Sequence, residues 1–303
     1  MNYSNIINQI IILFLIMLVG YVARKRNVIN GPTNKGLSEM LLGITLPAMI
    51  IVSFHYSFSK EMLIKAGVLL AISSIIHISL VLISKPLYYK FPENENSVLR
   101  FITVFSNCGF MGYPIVGSIY GKIGIFYTAI YNIPFHILMF TIGIMLFTHK
   151  KNFKSIGRDI INPSMISIFI GLLIFLFSVK LPFPIYKTLD LIGSTTTPLS
   201  MMVIGSMIAE IDIKNVFSGV IIYYGAFVRL LLTPVVVFLV LKVFGVTGMN
   251  MGIPVIISGM PAAANSAIIA QKYGADHLLA SRFVFVTTII SAITIPLIII
   301  AIQ

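Results

Sequence analysis

The sequence predicts an all-helical membrane protein of ten transmembrane helices, arranged as two inverted five-helix repeats in which helices four and nine are broken and cross. Three observations carry that prediction. Of 303 residues, 58% are hydrophobic and 10% charged, with a mean hydropathy of +1.01, whereas an ordinary soluble domain carries roughly 25% charged residues. The apolar residues fall into ten runs, each near the roughly 20 residues that one helical crossing needs. Short motifs of the first half also recur in the second half at a nearly constant offset.

In chain order, Ile6–Ala23 has no basic segment before it and no small-residue cleavage site after it, so it reads as a retained span rather than a signal peptide. Leu37–Phe58 carries Thr45, Pro47 and Ser53, and Met62–Leu82 follows. Val98–Tyr120 holds most of the stretch that organises the chain, SNCGFMGYPIVGSIYG from Ser106 to Gly121. Its glycines (Gly109, Gly112, Gly117), Asn107 and Pro114 make one unbroken helix costly. Inside a membrane, backbone leaves the helix only where it is buried in protein or lines a wet cavity, and transporters place their sites at such breaks. Ile123–Phe147 completes the first half, and a connection of about fifteen residues, Thr148–Asn162, joins the halves. The second half reads as Pro163–Val179, Tyr186–Ile208 with Thr197 and Pro198, Val216–Phe244 with Arg229, Ile253–Tyr273, and Leu278–Ile302.

The repeat rests on three anchors in order. Thr45-Leu-Pro47 recurs as Thr196-Thr-Pro198, Ala66-Gly-Val68 resembles Ser218-Gly-Val220, and Tyr120-Gly121 recurs as Tyr273-Gly274, at offsets of 151, 152 and 153. The halves are then residues 1–150 and 151–303. Because each holds an odd number of spans, the second enters the membrane from the opposite side, the arrangement of alternating-access carriers. The repeat predicts a break in span nine, and Gly259-Met-Pro261 followed by Ala262-Ala-Ala-Asn265-Ser266 supplies one, with Pro261 aligning with Cys108 rather than Pro114.

The net charge of +12 is dispersed between apolar runs, which fits membrane orientation rather than a nucleic-acid partner. One set of connections holds fourteen Lys and Arg, the other six, so both termini are expected on the extracytoplasmic side. The single cysteine, Cys108, excludes an intrachain disulfide. The chain has no HExxH, no CxxC and no glycine-rich phosphate loop with its lysine. No catalytic residue, metal site or cofactor is therefore expected, and the chain does not itself hydrolyse ATP.

The nine acidic residues lie in connections or near span ends, and none falls in either broken stretch. A cation carrier would want carboxylates there. An anion is better served by half-helix N-termini and by the amides of Asn107 and Asn265, so the expected site gathers Asn107, Cys108, Gly109, Gly112, Pro114, Pro261, Asn265 and Ser266. Arg229 is the one strong charge inside a span, as a substrate contact or as a clamp on helix-end carbonyls. Ser53 is a further candidate contact. Thr45 and Pro47, with Thr197 and Pro198, place hydroxyls beside helix-breaking prolines, where they restore hydrogen bonds lost to the kinks. His55, His77 and His136 are titratable but read as packing residues.

SNCGFMGYPIVGSIYG, TTTPLSMMVIGSMIAE (195–210), RLLLTP (229–234) and GMPAAANSAIIAQKYGAD (259–276) together resemble the auxin efflux carrier family, end to end. The resemblance implies a secondary transporter moving a small organic acid anion, auxin-like or malate- or malonate-like, across the cytoplasmic membrane by alternating access. It also implies a scaffold of helices 1, 2, 6 and 7 that makes a homodimer, a moving domain of helices 3–5 and 8–10, and Asn107, Pro114, Pro261 and Asn265 at the crossing. Plant members often carry a long hydrophilic loop between the repeats, and the short Thr148–Asn162 connection departs from it. Three rivals differ in class: a sodium- or proton-coupled carrier of another solute, an intramembrane enzyme, and a passive channel. The enzyme would need a nucleophile with a base or paired acids in the spans, and no acid pair is present there.

Overall fold

A computed structural model describes residues 3–148, 161–210 and 216–302. The expected boundary between halves at 150/151 lies outside the described residues, as do Lys150, Lys151, Lys154, Arg158 and Lys214. The regular elements among the described residues are all helices, with one isolated antiparallel bridge between Ser106 and Ala262. The helices are α1 (Tyr3–Lys25), α2 (Gly31–Met40), α3 (Leu46–Ser53), α4 (Lys60–Leu87), α5 (Glu93–Val104), α6 (Tyr113–Leu138) and α7 (Ile144–Thr148). After the undescribed connection come α8 (Pro163–Leu176), α9 (Phe183–Ser194), α10 (Thr196–Glu210), α11 (Val220–Phe227), α12 (Thr233–Val243), α13 (Met249–Ser258), α14 (Ser266–Lys272) and α15 (His277–Ala301).

Local chemistry sets several starts. Asn30 and Asn162 accept from the backbone N–H of Thr33 and Met165, with Pro32 two residues after the first and Pro163 directly after the second, and Asp276 accepts from Leu279. These side chains satisfy N–H groups that the first helical turn leaves without partners. Three single turns of π-helix, Leu41–Thr45, Cys108–Gly112 and Val228–Leu232, each end two residues before a proline: Pro47, Pro114 and Pro234. Proline cannot donate to the carbonyl four residues back, and a π turn displaces that carbonyl from the helical register. These prolines are thus accommodated inside continuous helical runs.

Seven helical stretches among the described residues are long and apolar enough to cross a bilayer, and Pro163–Leu176 and Met249–Ser258 are shorter apolar helices. Of the ten expected segments, the sixth is a helix of 14 residues, and the fourth and ninth are interrupted. Val98–Tyr120 splits because the chain is extended at Phe105–Asn107, before the glycines and Pro114 that predicted its break. Pro114 lies in the first turn of α6, and Gly109 and Gly112 lie in the π turn. Ile253–Tyr273 becomes α13 and α14, separated by a break around Pro261 as expected. The interruption at Gly121, with φ 64° and ψ −155°, falls where spans four and five were expected to meet.

The described chain divides into two compact units. Residues 1–68, 109–130 and 161–210 form the first. In it α1 packs along α10, and glycines let the backbones touch: a Cβ at Gly20 would strike the backbone of Met202, and one at Gly205 would strike that of Met17. Lipid supplies no hydrophobic drive for helix association, so such close approach is what holds spans together. Gly171 and Gly193 seat α8 and α9 against Phe54 and the backbone of Met49. An aromatic cluster of Phe54, Phe126 and Phe175 fills the space between, with ring centroids 4.6 and 5.2 Å apart along the chain of contacts. Arg24 pairs with Glu210 at 2.9 Å.

Residues 69–108, 131–160 and 211–303 form the second unit. Its described core stacks Phe101 on Phe147 at 4.5 Å and Phe105 on Phe101 at 4.9 Å, with Gly143 beneath both α5 rings. Gly225 receives Phe283 and Leu99, and Gly259 receives Ile298. Ser73 links α4 to α6 through the carbonyl of Tyr131 at 2.5 Å, and Tyr88 meets Thr103 at 2.7 Å.

Candidate functional site

The second unit contains the crossing. Where α5 ends, Phe105–Asn107 runs extended, and it pairs antiparallel with Pro261–Ala263. The N–H of Asn107 donates to the Pro261 carbonyl at 2.8 Å, and that of Ala263 donates to the Phe105 carbonyl at 3.3 Å. Thr287 on α15 accepts from the Ala262 N–H at 3.0 Å. Backbone that has left the helix is thereby hydrogen-bonded inside protein, the condition for tolerating it at membrane depth. Proline fits at 261 because its carbonyl is the group in use and no N–H is needed there.

Arg229 completes the crossing. It is 1% exposed and donates through Nε to the Met260 carbonyl at 2.9 Å, through Nη1 to Thr103 at 2.8 Å and through Nη2 to Ile257 at 3.3 Å. Thr103 lies in the last turn of α5, Ile257 in the last turn of α13 and Met260 just beyond it. A cation is favoured at a helix C-terminus, where free carbonyls carry about half a negative charge. One guanidinium serves two such ends, and these three bonds are those of the clamp rather than of a substrate contact.

Asn107 is buried at the bridge, and Cys108 is buried at the start of the π turn, its N–H on the Ser106 carbonyl at 2.8 Å. Asn265 immediately precedes α14, and its carbonyl accepts from Ile269 at 3.0 Å. The hydroxyl of Ser266 is buried without a hydrogen-bond partner. Asn107 and Pro261 are thus brought into direct contact, with Asn265 and Ser266 on the same strand-to-helix segment. Ser53 and Thr45 donate to carbonyls of their own helical run, Ile50 at 2.6 Å and Leu41 at 3.4 Å; neither is the Gly43 carbonyl four residues before Pro47, so the expected repair at that proline does not come from these hydroxyls. Ser200 likewise donates to the carbonyl of Thr197, beside Pro198, at 3.0 Å.

The first unit holds a cavity of ≈ 300 Å³. Leu13, Met49, Val52 and Ile125 give it apolar walls, and the expected residues Pro114 and Thr197 line it with Tyr113, Gly117 and Ser118. Lys122 and Asp190 line it as well. Their ion pair joins Lys122 Nζ to Asp190 Oδ1 at 2.6 Å, while Tyr186 accepts from the same ammonium at 2.8 Å and Lys187 reaches Asp190 Oδ2 at 3.2 Å. Sequence reasoning assigned Lys122 and Lys187 to a connection and Asp190 to a span end. The chain separation of 68 residues hides the pair; the one available signal was that Lys122 follows Gly121 directly. Among the described residues no group of three or more His, Cys, Asp and Glu is placed to hold a metal ion.

Comparison with known proteins agrees with this architecture. The model of the family described as Membrane transport protein matches residues 5–156 and 147–299. An uncharacterized transporter of Methanocaldococcus jannaschii is 23% identical over 299 residues, covering 95% of this chain and 96% of the relative. The uncharacterized transporter YfdV of Escherichia coli is 22% identical, covering 96% of each. A putative malonate transporter of Rhizobium meliloti is 26% identical over 139 residues, 46% of this chain and 43% of the relative. With apolar helices long enough to span a bilayer several times and a family match along nearly its whole length, the chain is a multi-pass member of the membrane transport protein family, the auxin efflux carriers, and a transporter rather than an enzyme.

Proposed function

We propose that this protein is a secondary transporter of a small organic acid anion, working by alternating access around the crossing of two broken helices in a ten-helix inverted repeat. The observation that carries the anion reading is the placement of Arg229 on the C-terminal carbonyls of both α5 and α13. With those negative ends held, the ends remaining at the crossing are the N-terminal ones, at Cys108 and Ser266, which favour negative charge. No acidic residue lies in 105–112 or 259–266, so a cation would find no carboxylate there. The amides of Asn107 and Asn265 add neutral donors.

The size of the cavity supports a small cargo. At ≈ 300 Å³ it stands at the lower end of the ~300–1,000 Å³ range of ligand pockets. The partial similarity to a putative malonate transporter points the same way. For the repeat, the support is the offset of 151 to 153 between motifs and the antiparallel pairing of Ser106 with Ala262. The mechanism takes expected helices 1, 2, 6 and 7 as a scaffold that forms a homodimer and helices 3–5 and 8–10 as the moving domain. The compact units follow this only in part, since residues 109–130 of helices four and five group with the first unit. Both termini are extracytoplasmic and the membrane is the cytoplasmic one. A potential negative inside favours exit of the anion by about 2.3 kcal/mol per charge per 100 mV, and uptake requires a coupled ion.

The test is thermal stabilisation of the purified protein by a panel of mono- and dicarboxylates, repeated with Asn107→Ala and Asn265→Ala. A ligand of the folded state stabilises by RT ln(1 + [L]/Kd), so one acid is expected to raise the melting temperature of the parent and lose that effect in a variant. Stabilisation by sodium or a neutral solute, with no carboxylate acting, would overturn the anion reading.

A further inference from the structure

The lysine and aspartate that line the first-unit cavity are partly open to solvent, their side chains 46% and 23% exposed. Lys122 begins the helical run after Gly121, whose φ of 64° turns the chain at that point. Its ammonium has three donors, two of which go to Asp190 and Tyr186. Asp190 is shared: Lys122 holds one carboxylate oxygen and Lys187 the other. Two cations on one anion leave the cluster with an excess positive charge.

That stoichiometry permits an exchange. If Lys122 turns from Asp190 to another carboxylate, Asp190 keeps Lys187 and Lys122 keeps Tyr186, so no charge is left without a partner. Because the pair is partly open to solvent, with the Lys122 side chain 46% exposed, it also costs little to break. Thr197 and Ser118, on the same lining, stand where a second carboxylate or hydroxyl of a small acid would need a partner.

We propose that Lys122 is the anchor for the carboxylate of the transported acid, and that Asp190 is an internal counter-ion which holds the lysine in the empty cavity and which the substrate displaces. The proposal rests on the organic-acid reading and adds to it the recognising residue and a competitor. Substrate and Asp190 are rivals for one ammonium. Neutralising Asp190 therefore tightens binding, and neutralising Lys122 weakens it.

The experiment is isothermal titration of the full-length protein in nanodiscs with malonate, succinate and acetate at constant ionic strength, for the parent, Lys122→Gln, Lys122→Arg and Asp190→Asn. Lys122→Gln is expected to weaken the best acid by about tenfold or more, the loss of one charge-assisted hydrogen bond. Lys122→Arg should retain binding and Asp190→Asn should tighten it several-fold. A pair that only braces the helices would make Lys122→Gln and Asp190→Asn change affinity in the same direction, and that result overturns the proposal. Unchanged affinity in Lys122→Gln also overturns it while leaving the organic-acid reading intact. If the parent binds none of the acids, that reading fails and this one with it. Should Lys122→Gln not fold, Asp190→Asn decides alone, tighter binding supporting the proposal and weaker binding overturning it.

Discussion

The Nη1 of Arg229 donates to the carbonyl of Thr103 at 2.8 Å, joining residues 126 positions apart in the chain. With Nε and Nη2 on Met260 and Ile257, the same side chain closes the ends of two helices. Arg229→Leu leaves the buried carbonyls of Thr103 and Met260 without donors, each costing ~1–3 kcal/mol, while Ile257 keeps the N–H of Met260. The expected outcome is a large fall in the thermal unfolding temperature in detergent. Arg229→Lys, with a point charge instead of a planar fork, should recover part of it. Substrate affinity of whatever fraction folds should fall too in Arg229→Leu, because the helix C-termini that the guanidinium covers would then face the anion uncompensated.

Thr287 accepts from Ala262 and donates to Phe283. Thr287→Val keeps the shape and removes the acceptor, stranding one N–H in the crossing. Destabilisation of about 1–3 kcal/mol is expected. Hydrogen exchange read by mass spectrometry should show the change first in peptides covering 259–266, and uniform loss of protection across the chain would count against a local role.

Glycines in the helices separate into two kinds. Gly205→Leu drives a side chain into the backbone of Met17 and Tyr21, and failure to recover folded protein is expected. Gly109, despite its place in the motif that first marks the site, has nothing near the position of a Cβ. Gly109→Ala should stay within about 0.5 kcal/mol of the parent, measured by the same thermal unfolding assay.

Gly121 is a third case, with open space around it and a φ of 64°. Alanine there meets no neighbour but must hold φ 64° and ψ −155°, a region that is essentially glycine's alone, at a cost of about 1–3 kcal/mol. Gly121→Asn should lose as much, because asparagine's tolerance of positive φ is confined to the left-handed helical region at positive ψ. A clearly smaller loss for asparagine would count against a backbone cost.

That the chain is helical and crosses a bilayer several times was legible because apolar run length is a property of the sequence alone, and seven long apolar helices are seen among the described residues. The break at Pro261 was legible because a proline stands there among small residues. Pro114 misled in the other direction. The π turn at Cys108–Gly112 accommodates it, and the chain instead leaves the helix at Phe105–Asn107, three residues with no breaker among them. Their conformation is set by the partner strand at Pro261–Ala263, a tertiary cause invisible to local propensity. Arg229 was legible as an anomaly, though which helix ends it holds was not. Lys122 and Asp190 were not legible at all, since only the fold brings them together.

The reciprocal contact of Gly20 with Met202 and of Gly205 with Met17 also bears on how the protein is made. The first helix leaves the ribosome long before its partner exists, and at ~5–20 residues per second it waits on the order of ten seconds or more in the membrane. Its glycine-bearing face stays against lipid or the insertion machinery for that time. Assembly of the first unit is therefore a late event in biosynthesis, and a chain truncated before residue 196 should insert its early spans yet remain a target for membrane quality control.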